Sequence, residues 1–271
     1  MMCSEMARLD AHMLQAARDE ALETARAAAA VVLAGFRTGA AARKKGVVDL
    51  VTEYDLRSEE LVRTRLVRAF PDHAIVGEEG ENDAAAELTW YVDPLDGTTN
   101  FVHGHPFFAV SLALCEEGEP VACAIVAPAL RAEWSAARGA GATREGIACK
   151  VSTISAANDA LAATGFPYDI RTTEIDNMAE LREVLRRTQG VRRCGSAALD
   201  LAFVADGAYD VYWEYKINPW DVAGGALLVT EAGGRITDIE GRSMYPPGGN
   251  VLATNGRLHE EMLRMLRDAP R

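Results

Sequence analysis

The N-terminal part of the chain contains two long stretches in which hydrophobic and polar positions alternate at helical spacing. From about Asp10 to Arg37, Ala and Leu side chains recur every three or four residues, with charged residues between them. This pattern predicts a long amphipathic helix. The stretch from about Asp55 to Ala69 predicts a second helix, which ends before Pro71 because proline cannot continue a helix.

Shorter apolar runs predict β-strands, and their arrangement changes midway along the chain. In the first part the runs follow one another directly, which predicts an antiparallel sheet covered by helices. These strands are expected at residues 47–51, 74–77, 90–92, 107–115, 120–127 and 131–137. In the second part strands and helices alternate, which predicts sheet layers covered by helices. The expected strands are 160–163, 191–194, 210–213 and 251–253, and the expected helices are 173–189, 196–205, 219–232 and a last one after Gly256.

Composition indicates an ordinary globular protein rather than a disordered chain. Hydrophobic residues make up 49% and charged residues 25% of the 271 positions, which is enough to form a core. We expect one domain over residues 1–271, with an N-terminal α+β half of about 1–145 and a C-terminal α/β half of about 146–271.

The charge and cysteine content narrow the classes of function. A formal net charge of −12 argues against direct binding of nucleic acid, which needs a basic surface. The sequence has five cysteines, an odd number, and no Cys-x-x-Cys motif. We therefore expect reduced thiols and a cytoplasmic location. The sequence also predicts no signal peptide and no membrane span.

The segment Asp93–Thr98, Asp-Pro-Leu-Asp-Gly-Thr, carries the clearest chemistry. It follows a predicted strand, and Pro94 favours a turn because its ring fixes φ. Asp93 and Asp96 can then converge on one point, with the Leu95 carbonyl as a third oxygen ligand. Hard divalent cations such as Mg²⁺ prefer oxygen ligands of this kind.

The end of the same segment is suited to an anion. Gly97 lets a phosphate approach the backbone closely, and a short helix that opens at Thr98 would present free N–H groups to it. The alternative is a plain acidic turn, because Asp, Pro and Gly are all common turn residues. The complete six-residue string is much more specific than any pair of residues within it.

Three motifs in order resemble the inositol monophosphatase family, the lithium-sensitive sugar phosphatases. Asp93–Phe101 is similar to the family's Asp-Pro-x-Asp-Gly-Thr-x-Asn-Phe. Gly77–Glu79 resembles its Gly-Glu-Glu segment, and Trp220–Gly224, with the later Gly233–Gly234, resembles its Trp-Asp signature. The order and spacing agree along almost the whole chain.

The resemblance implies two to three Mg²⁺ ions and assigns their ligands. Glu78, Asp93 and the Leu95 carbonyl are similar to the ligands of a first ion. Asp93, Asp96 and Asp221 correspond to the ligands of a second. Glu78 also helps to hold a third, weaker ion.

The resemblance further assigns catalytic roles to Asp55, Thr98 and Glu78. Asp55 and Thr98 resemble the pair that polarises the attacking water, and Glu78 acts through the metal ions. The backbone N–H groups of Gly97 and Thr98 would hold the phosphate. The implied reaction is hydrolysis by metal-activated water, without a covalent phospho-enzyme.

Substrate contacts are expected on two segments of the second half and one of the first. Gly195, Ser196 and Ala197 resemble the family's substrate loop, although Ser196 is also a plausible N-cap of a core helix. Glu214 aligns with an acidic residue that binds a polyol hydroxyl, and the alternative is a solvated surface carboxylate. Lys44 matches a basic residue near the metals, and the alternative is a mobile surface lysine.

These implications give an α/β fold (α+β in its first half), the layered α-β-α-β-α sandwich, and a Mg²⁺-dependent phosphatase of a small polyol phosphate. The residues Thr99–Phe101 favour myo-inositol 1-phosphate as the substrate. Fructose 1,6-bisphosphate, 3′-phosphoadenosine 5′-phosphate and histidinol phosphate remain alternatives within the same fold.

A function of another class also follows from the resemblance. Some bacterial members of the family are regulatory proteins that bind the transcription apparatus. The family is commonly dimeric, so a homodimer is expected, and Arg193 could face either the substrate or the second subunit. Because all the metal ligands are present, we expect an enzyme.

Overall fold

Helices and two large β-sheets stack in five layers in the order α-β-α-β-α, which confirms the fold expected from the sequence. The structure is a computed structural model and describes residues 9–46, 49–84 and 86–270. Within them the first half contains α1 (Ala11–Gly35), β1 (Ala42–Lys44), β2 (Leu50–Thr52), α2 (Glu53–Ala69), β3 (Ala74–Gly77), β4 (Leu88–Asp96), α3 (Thr98–Val102), β5 (Ala109–Glu116), β6 (Glu119–Ala127), β7 (Ala132–Ala137), β8 (Gly141–Arg144) and β9 (Ile147–Ala148).

The second half supplies the smaller sheet and the remaining helices. Its elements are β10 (Leu161–Thr164), α4 (Met178–Arg187), β11 (Gly190–Arg192), α5 (Ala197–Ala205), β12 (Val211–Ile217), α6 (Pro219–Glu231), β13 (Arg235–Thr237), β14 (Gly249–Thr254) and α7 (His259–Arg267). A strand was expected at residues 47–51; Val47 and Val48 lie outside the described residues, and β2 covers the end of that stretch.

The larger sheet has the strand order β3-β4-β5-β6-β7-β8-β9. Its strands pair antiparallel except β3 with β4, which are parallel, so the antiparallel prediction is confirmed for all pairs but the first. The smaller sheet has the order β11-β10-β12-β14-β13, in which β10 runs parallel to both its neighbours. That parallel arrangement brings the carboxyl ends of β10, β11 and β12 to one edge.

Burial of apolar side chains holds the layers together. Helices α1 and α2 cover one face of the larger sheet, where Trp90 and Leu112 are fully buried. Helices α5 and α6 fill the space between the two sheets, and α4 and α7 cover the outer face of the smaller sheet over Trp213. Each such large side chain stabilises the fold by about 1.5–3 kcal/mol.

The middle layer depends on a glycine contact between its two helices. A Cβ placed on Gly225 of α6 would lie 2.4 Å from the Cβ of Leu201 in α5. The absence of a side chain therefore lets the two helices approach closely. This close packing fixes the starts of α5 and α6 relative to the larger sheet.

The prediction of a helix over residues 173–189 is wrong at its beginning. Helix α4 begins at Met178 because Asn177 adopts a left-handed conformation with φ of +64°. The buried Asn177 amide donates to Thr164 Oγ1 and the Gly165 carbonyl, and accepts from Trp213 Nε1 at 2.6 Å. Side-chain hydrogen bonds to the smaller sheet thus override the local helical pattern.

Four short strands escaped the sequence analysis, namely β1, β8, β9 and β13. They have two to four residues each and carry little burial pattern. A periodic signal needs a longer run than this. Across the described ranges, none of the helices combines the length and apolar character needed to cross a bilayer.

Candidate active site

A β-bulge in β4 brings the two aspartates of the central motif to the same side of the larger sheet. Asp93 pairs with Ser111 and Asp96 pairs with Ala109, so two residues of β4 face a single residue of β5 between these pairs. Residues three apart in a regular strand point to opposite faces, and one extra residue cancels that alternation. The motif is therefore a bulge inside a strand, where the sequence analysis predicted a turn after one.

Two further carboxylates are placed by the starts of helices. Asp55 closes the capping box of α2, in which its Oδ2 accepts from the Thr52 backbone N–H at 2.8 Å. Asp221 does the same in α6, where its Oδ2 accepts from the Asn218 N–H at 2.9 Å. A capping box fixes a side chain against the backbone, so both carboxylates have defined positions.

Thr98, the last residue of the segment Asp93–Thr98, contacts Asp55. Its Oγ1 lies 2.9 Å from Asp55 Oδ1 and 3.0 Å from the Leu95 carbonyl oxygen. Thr98 is the first residue of α3, and Gly97 before it has φ of +91°, which favours glycine. The sequence prediction that Thr98 opens a short helix is confirmed.

Glu78 reaches the same region at the end of β3 and is paired with a lysine. Lys45 Nζ donates to Glu78 Oε1 at 2.8 Å and to Glu79 Oε1 at 2.6 Å. Lys44, the lysine expected near the metals, is exposed in β1. Lys45 is the basic residue that contacts Glu78 at this edge of the site, and the role of Lys44 stays a prediction.

A buried carboxylate shapes the turn that carries Glu78 and Glu79. Glu59 on α2 accepts from the backbone N–H groups of Glu79 and Gly80, each at 2.8 Å. A Cβ on Gly77 or Gly80 would lie 2.6 Å from Glu59 Oε1. Glycine on both sides of the two glutamates lets the chain wrap around this carboxylate.

The four carboxylates proposed as metal ligands repel one another. Burial raises the pKa of Asp93 well above its usual range, and the nearby Glu78, Asp96 and Asp221 raise it further. Burial followed by Asp96 and Glu78 has the same effect on the pKa of Asp221. Burial raises the pKa of Asp96 to about 6 and that of Glu78 to about 7. With all four carboxylates ionised, the cluster has too little positive charge around it to balance theirs.

Each of these carboxylates is held by a donor of the protein. Asp96 Oδ2 accepts from Ser196 Oγ at 2.5 Å and from the Ala198 N–H at 2.8 Å, and Asp93 Oδ1 accepts from the Leu95 N–H. In residues 9–46, 49–84 and 86–270, no three His, Cys, Asp or Glu side chains are gathered tightly enough to hold an ion by themselves. The donor set nevertheless fits a hard divalent cation, because it is all oxygen, buried and short of positive charge.

A cleft of about 340 Å³ opens beside these groups, between the two sheets. Asp96, Gly97, Thr98 and Asp221 line it together with residues 195–197 and Glu214. The Asn100 amide joins the two walls by donating to the carbonyls of Phe107, Cys194 and Gly195.

Glu214 is a half-buried acid in the wall of the cleft. The Tyr212 hydroxyl donates to its Oε2 at 2.5 Å. Burial raises the pKa of Glu214 to about 7, against the opposing effects of Tyr212 and Arg193. The structure thus places Glu214 in the cleft rather than on the solvated surface.

The sequence analysis did not identify most of the cleft wall contributed by the second half. Phe166, Tyr168 and Ile170 line the cleft after β10, and the guanidinium of Arg193 lies 5.7 Å from the Phe166 ring centroid. A rule that sites form beyond the carboxyl ends of parallel strands could have indicated this loop. Asp200 also lines the cleft, and its Oδ1 is buried without a hydrogen-bond partner among the described residues.

Fold and site together define a phosphatase-type sandwich with an acidic centre. The model of the inositol monophosphatase family matches residues 13–271. The chain therefore belongs to the inositol monophosphatase family, whose members are generally metal-dependent.

Relatives in the family carry two kinds of name. The chain is 41% identical to the Nus factor SuhB of Pseudomonas aeruginosa, over 81% of this chain and 83% of that protein. It is 40% identical to an inositol-1-monophosphatase of Rhizobium meliloti, over 83% and 84% of the two chains. The solved inositol monophosphatase of Anabaena (Nostoc) sp. PCC 7120 superposes with a TM-score of 0.87 at 40% identity, over 95% and 97% of the chains.

The raised pKa of Glu214 predicts a pH-dependent stability. Because the pKa of Glu214 rises from 4.5 to about 7 on folding, the folded protein binds this proton more tightly, and stability falls as pH increases between these values. In EDTA, the free energy of unfolding of wild type minus that of Glu214→Gln should fall by about 1–3 kcal/mol from pH 5 to pH 7. Urea unfolding at pH 5, 6 and 7 measures this difference, and parallel curves for the two proteins would contradict it.

Proposed function

We propose that the protein is a Mg²⁺-dependent phosphomonoesterase of a small polyol phosphate, with myo-inositol 1-phosphate as the favoured substrate. The observation that carries this proposal is the buried acidic cluster of Glu78, Asp93, Asp96 and Asp221 beside a cleft. Mutual repulsion of this size is relieved by a multivalent cation, and a phosphate ester also needs one to approach so many carboxylates.

The proposed ligands follow the donor set. Glu78, Asp93 and the Leu95 carbonyl would hold one ion, and Asp93 would share a second with Asp96 and Asp221. Glu78 would also serve a third, weaker ion. Divalent ions bound there would lower the pKa of water and stabilise the charge of the attacking and leaving oxygens.

Thr98 and Asp55 would orient the water that attacks phosphorus. The Thr98 hydroxyl can donate to Asp55 Oδ1 at 2.9 Å, which leaves its oxygen free to accept a proton of the water. The pKa of Asp55 is raised by burial, so this carboxylate has an increased affinity for a proton. The backbone N–H groups of Gly97 and Thr98 would hold the phosphate at the start of α3.

The part of the cleft wall that comes from the second half would bind the polyol. Glu214, half-buried there, presents carboxylate oxygens that accept hydrogen bonds from hydroxyl groups. The backbone of Gly195, Ser196 and Ala197 would contact further hydroxyls. Ser196 also caps α5 through Leu199 and donates to Asp96, so this wall is attached directly to the acidic cluster.

Other properties come from the family resemblance. We propose that residues 1–271 act as one domain, that two copies form a homodimer, that lithium inhibits the enzyme and that it works in the cytoplasm.

Phosphate release tests the activity and the substrate together. Purified protein with Mg²⁺ should release phosphate from myo-inositol 1-phosphate faster than from 3′-phosphoadenosine 5′-phosphate, and EDTA should abolish release. Release from the nucleotide alone would keep the metal chemistry and overturn the substrate. Fructose 1,6-bisphosphate and histidinol phosphate belong in the same assay, because relatives with this fold act on them.

Replacing a metal ligand should separate activity from stability. Asp221→Asn keeps an acceptor for the Asn218 N–H but removes a charge, so kcat should fall about 100-fold or more. The unfolding temperature in EDTA at pH 7 should equal or exceed that of wild type, because the pKa of Asp221 shows that its ionised form is disfavoured in the fold. Asp96→Asn should likewise lose activity. Near-normal turnover in either variant would refute the ligand assignment.

Regulation of transcription is the second candidate, because the Pseudomonas aeruginosa relative is named a Nus factor. A protein partner is compatible with the net charge of −12, whereas direct RNA binding is disfavoured. Immobilised protein should then retain purified bacterial RNA polymerase, and the Asp221→Asn variant should retain it equally. Absence of retention by wild type would remove this candidate.

A further inference from the structure

Among the residues that the structure describes, Lys45 is the cationic side chain that forms an ion pair with a proposed metal ligand. Its ammonium group donates to Glu78 at 2.8 Å and to Glu79 at 2.6 Å, and Asp49 Oδ1 lies 3.8 Å away. The side chains of Glu78 and Glu79 are only 13% and 4% exposed, and that of Lys45 is 25% exposed. Solvent therefore screens these contacts only partly.

The two glutamates differ in what else they touch. Glu78 lies near enough to Asp93 and Asp221 to raise the pKa of both carboxyl groups. Glu79 is tied by its backbone N–H to Glu59 on the other side of the turn. One ammonium group thus bridges a carboxylate of the metal site and a neighbouring carboxylate outside it.

We propose that Lys45 is an internal competitor of the divalent ion for Glu78, and that Glu79 retains the ammonium group when the ion binds. This inference rests on the proposed function, because it takes Glu78 as a metal ligand. The ion needs a Glu78 oxygen that now accepts a hydrogen bond from Lys45, and a divalent charge repels the ammonium group. Glu79 and Asp49 remain as partners of Lys45 after it leaves Glu78, which lowers the free-energy cost of displacing the ammonium group.

The competition changes how tightly the site binds the divalent ion and leaves the reaction itself unchanged. In the absence of the ion Lys45 compensates part of the repulsion among the carboxylates. When the ion is bound, the ammonium group of Lys45 lies beside the mouth of the cleft, where Asp49 forms part of the wall. The protein would thereby hold its weakest ion loosely at Glu78 and exchange it readily.

Metal binding without substrate tests the inference. Mg²⁺ is titrated calorimetrically into full-length protein stripped with EDTA, for wild type and three variants. Lys45→Met should bind Mg²⁺ about five- to tenfold more tightly, as expected for removal of a partly buried ion-pair partner. Glu79→Gln should bind it more weakly, because the displaced ammonium group then loses the negative charge of its second partner. Arg43→Met, which removes an exposed charge from the same segment, is the control for a general change in charge.

The opposite signs of the two effects distinguish competition from a merely structural role. If Lys45 only anchored its segment, Lys45→Met and Glu79→Gln would both weaken Mg²⁺ binding, and that result would overturn the inference. Equal affinity in Lys45→Met and Arg43→Met would also overturn it. An unchanged affinity in Glu79→Gln, with tighter binding in Lys45→Met, would remove the role of Glu79. If wild type binds no Mg²⁺, the proposed function itself fails.

Discussion

Repulsion among carboxylates buried between the two sheets is the constraint that organises this structure. The chain compensates it locally: capping boxes hold Asp55 and Asp221, and Ser196 with the start of α5 holds Asp96. Helices α2, α3, α5 and α6 all begin at the site, and the positive ends of their dipoles favour negative charge there. Lys45 supplies a further positive charge. The close packing of α5 on α6 therefore also directs the starts of both helices toward the clustered carboxylates.

The local strings in the sequence predicted the acidic cluster well, because each is short and carries its own geometry. The motif Asp93–Thr98 predicted oxygen ligands, and the structure brings Asp93 and Asp96 to one side of the larger sheet. Its form was not predictable, since the bulge depends on the pairing of β4 with β5. The contact of Lys45 with Glu78 was likewise not predictable, because it joins residues 33 positions apart in the chain.

Long-range contacts explain what the sequence analysis missed. Asn177 stops a helical pattern through bonds to residues 12 and 36 positions away. The wall formed by Phe166, Tyr168 and Arg193 faces residues of the first half, to which Asn100 joins it through hydrogen bonds to the carbonyls of Cys194 and Gly195. None of these residues lies in a string that carries chemistry by itself. A single sequence thus indicates the reactive groups of a site more readily than the walls around them.

The two halves of the chain contribute different parts of the cleft. Three of the four proposed acidic ligands and both groups proposed to hold the phosphate come from the first half, whereas residues 165–170, 193–197 and Glu214 all come from the second. Under the proposed function, substitutions in residues 165–170 alter the surface that meets the alcohol, whereas Ser196 is constrained by its hydrogen bond to Asp96. The proposed chemistry therefore tolerates changes in residues 165–170 that adapt this loop to a different alcohol.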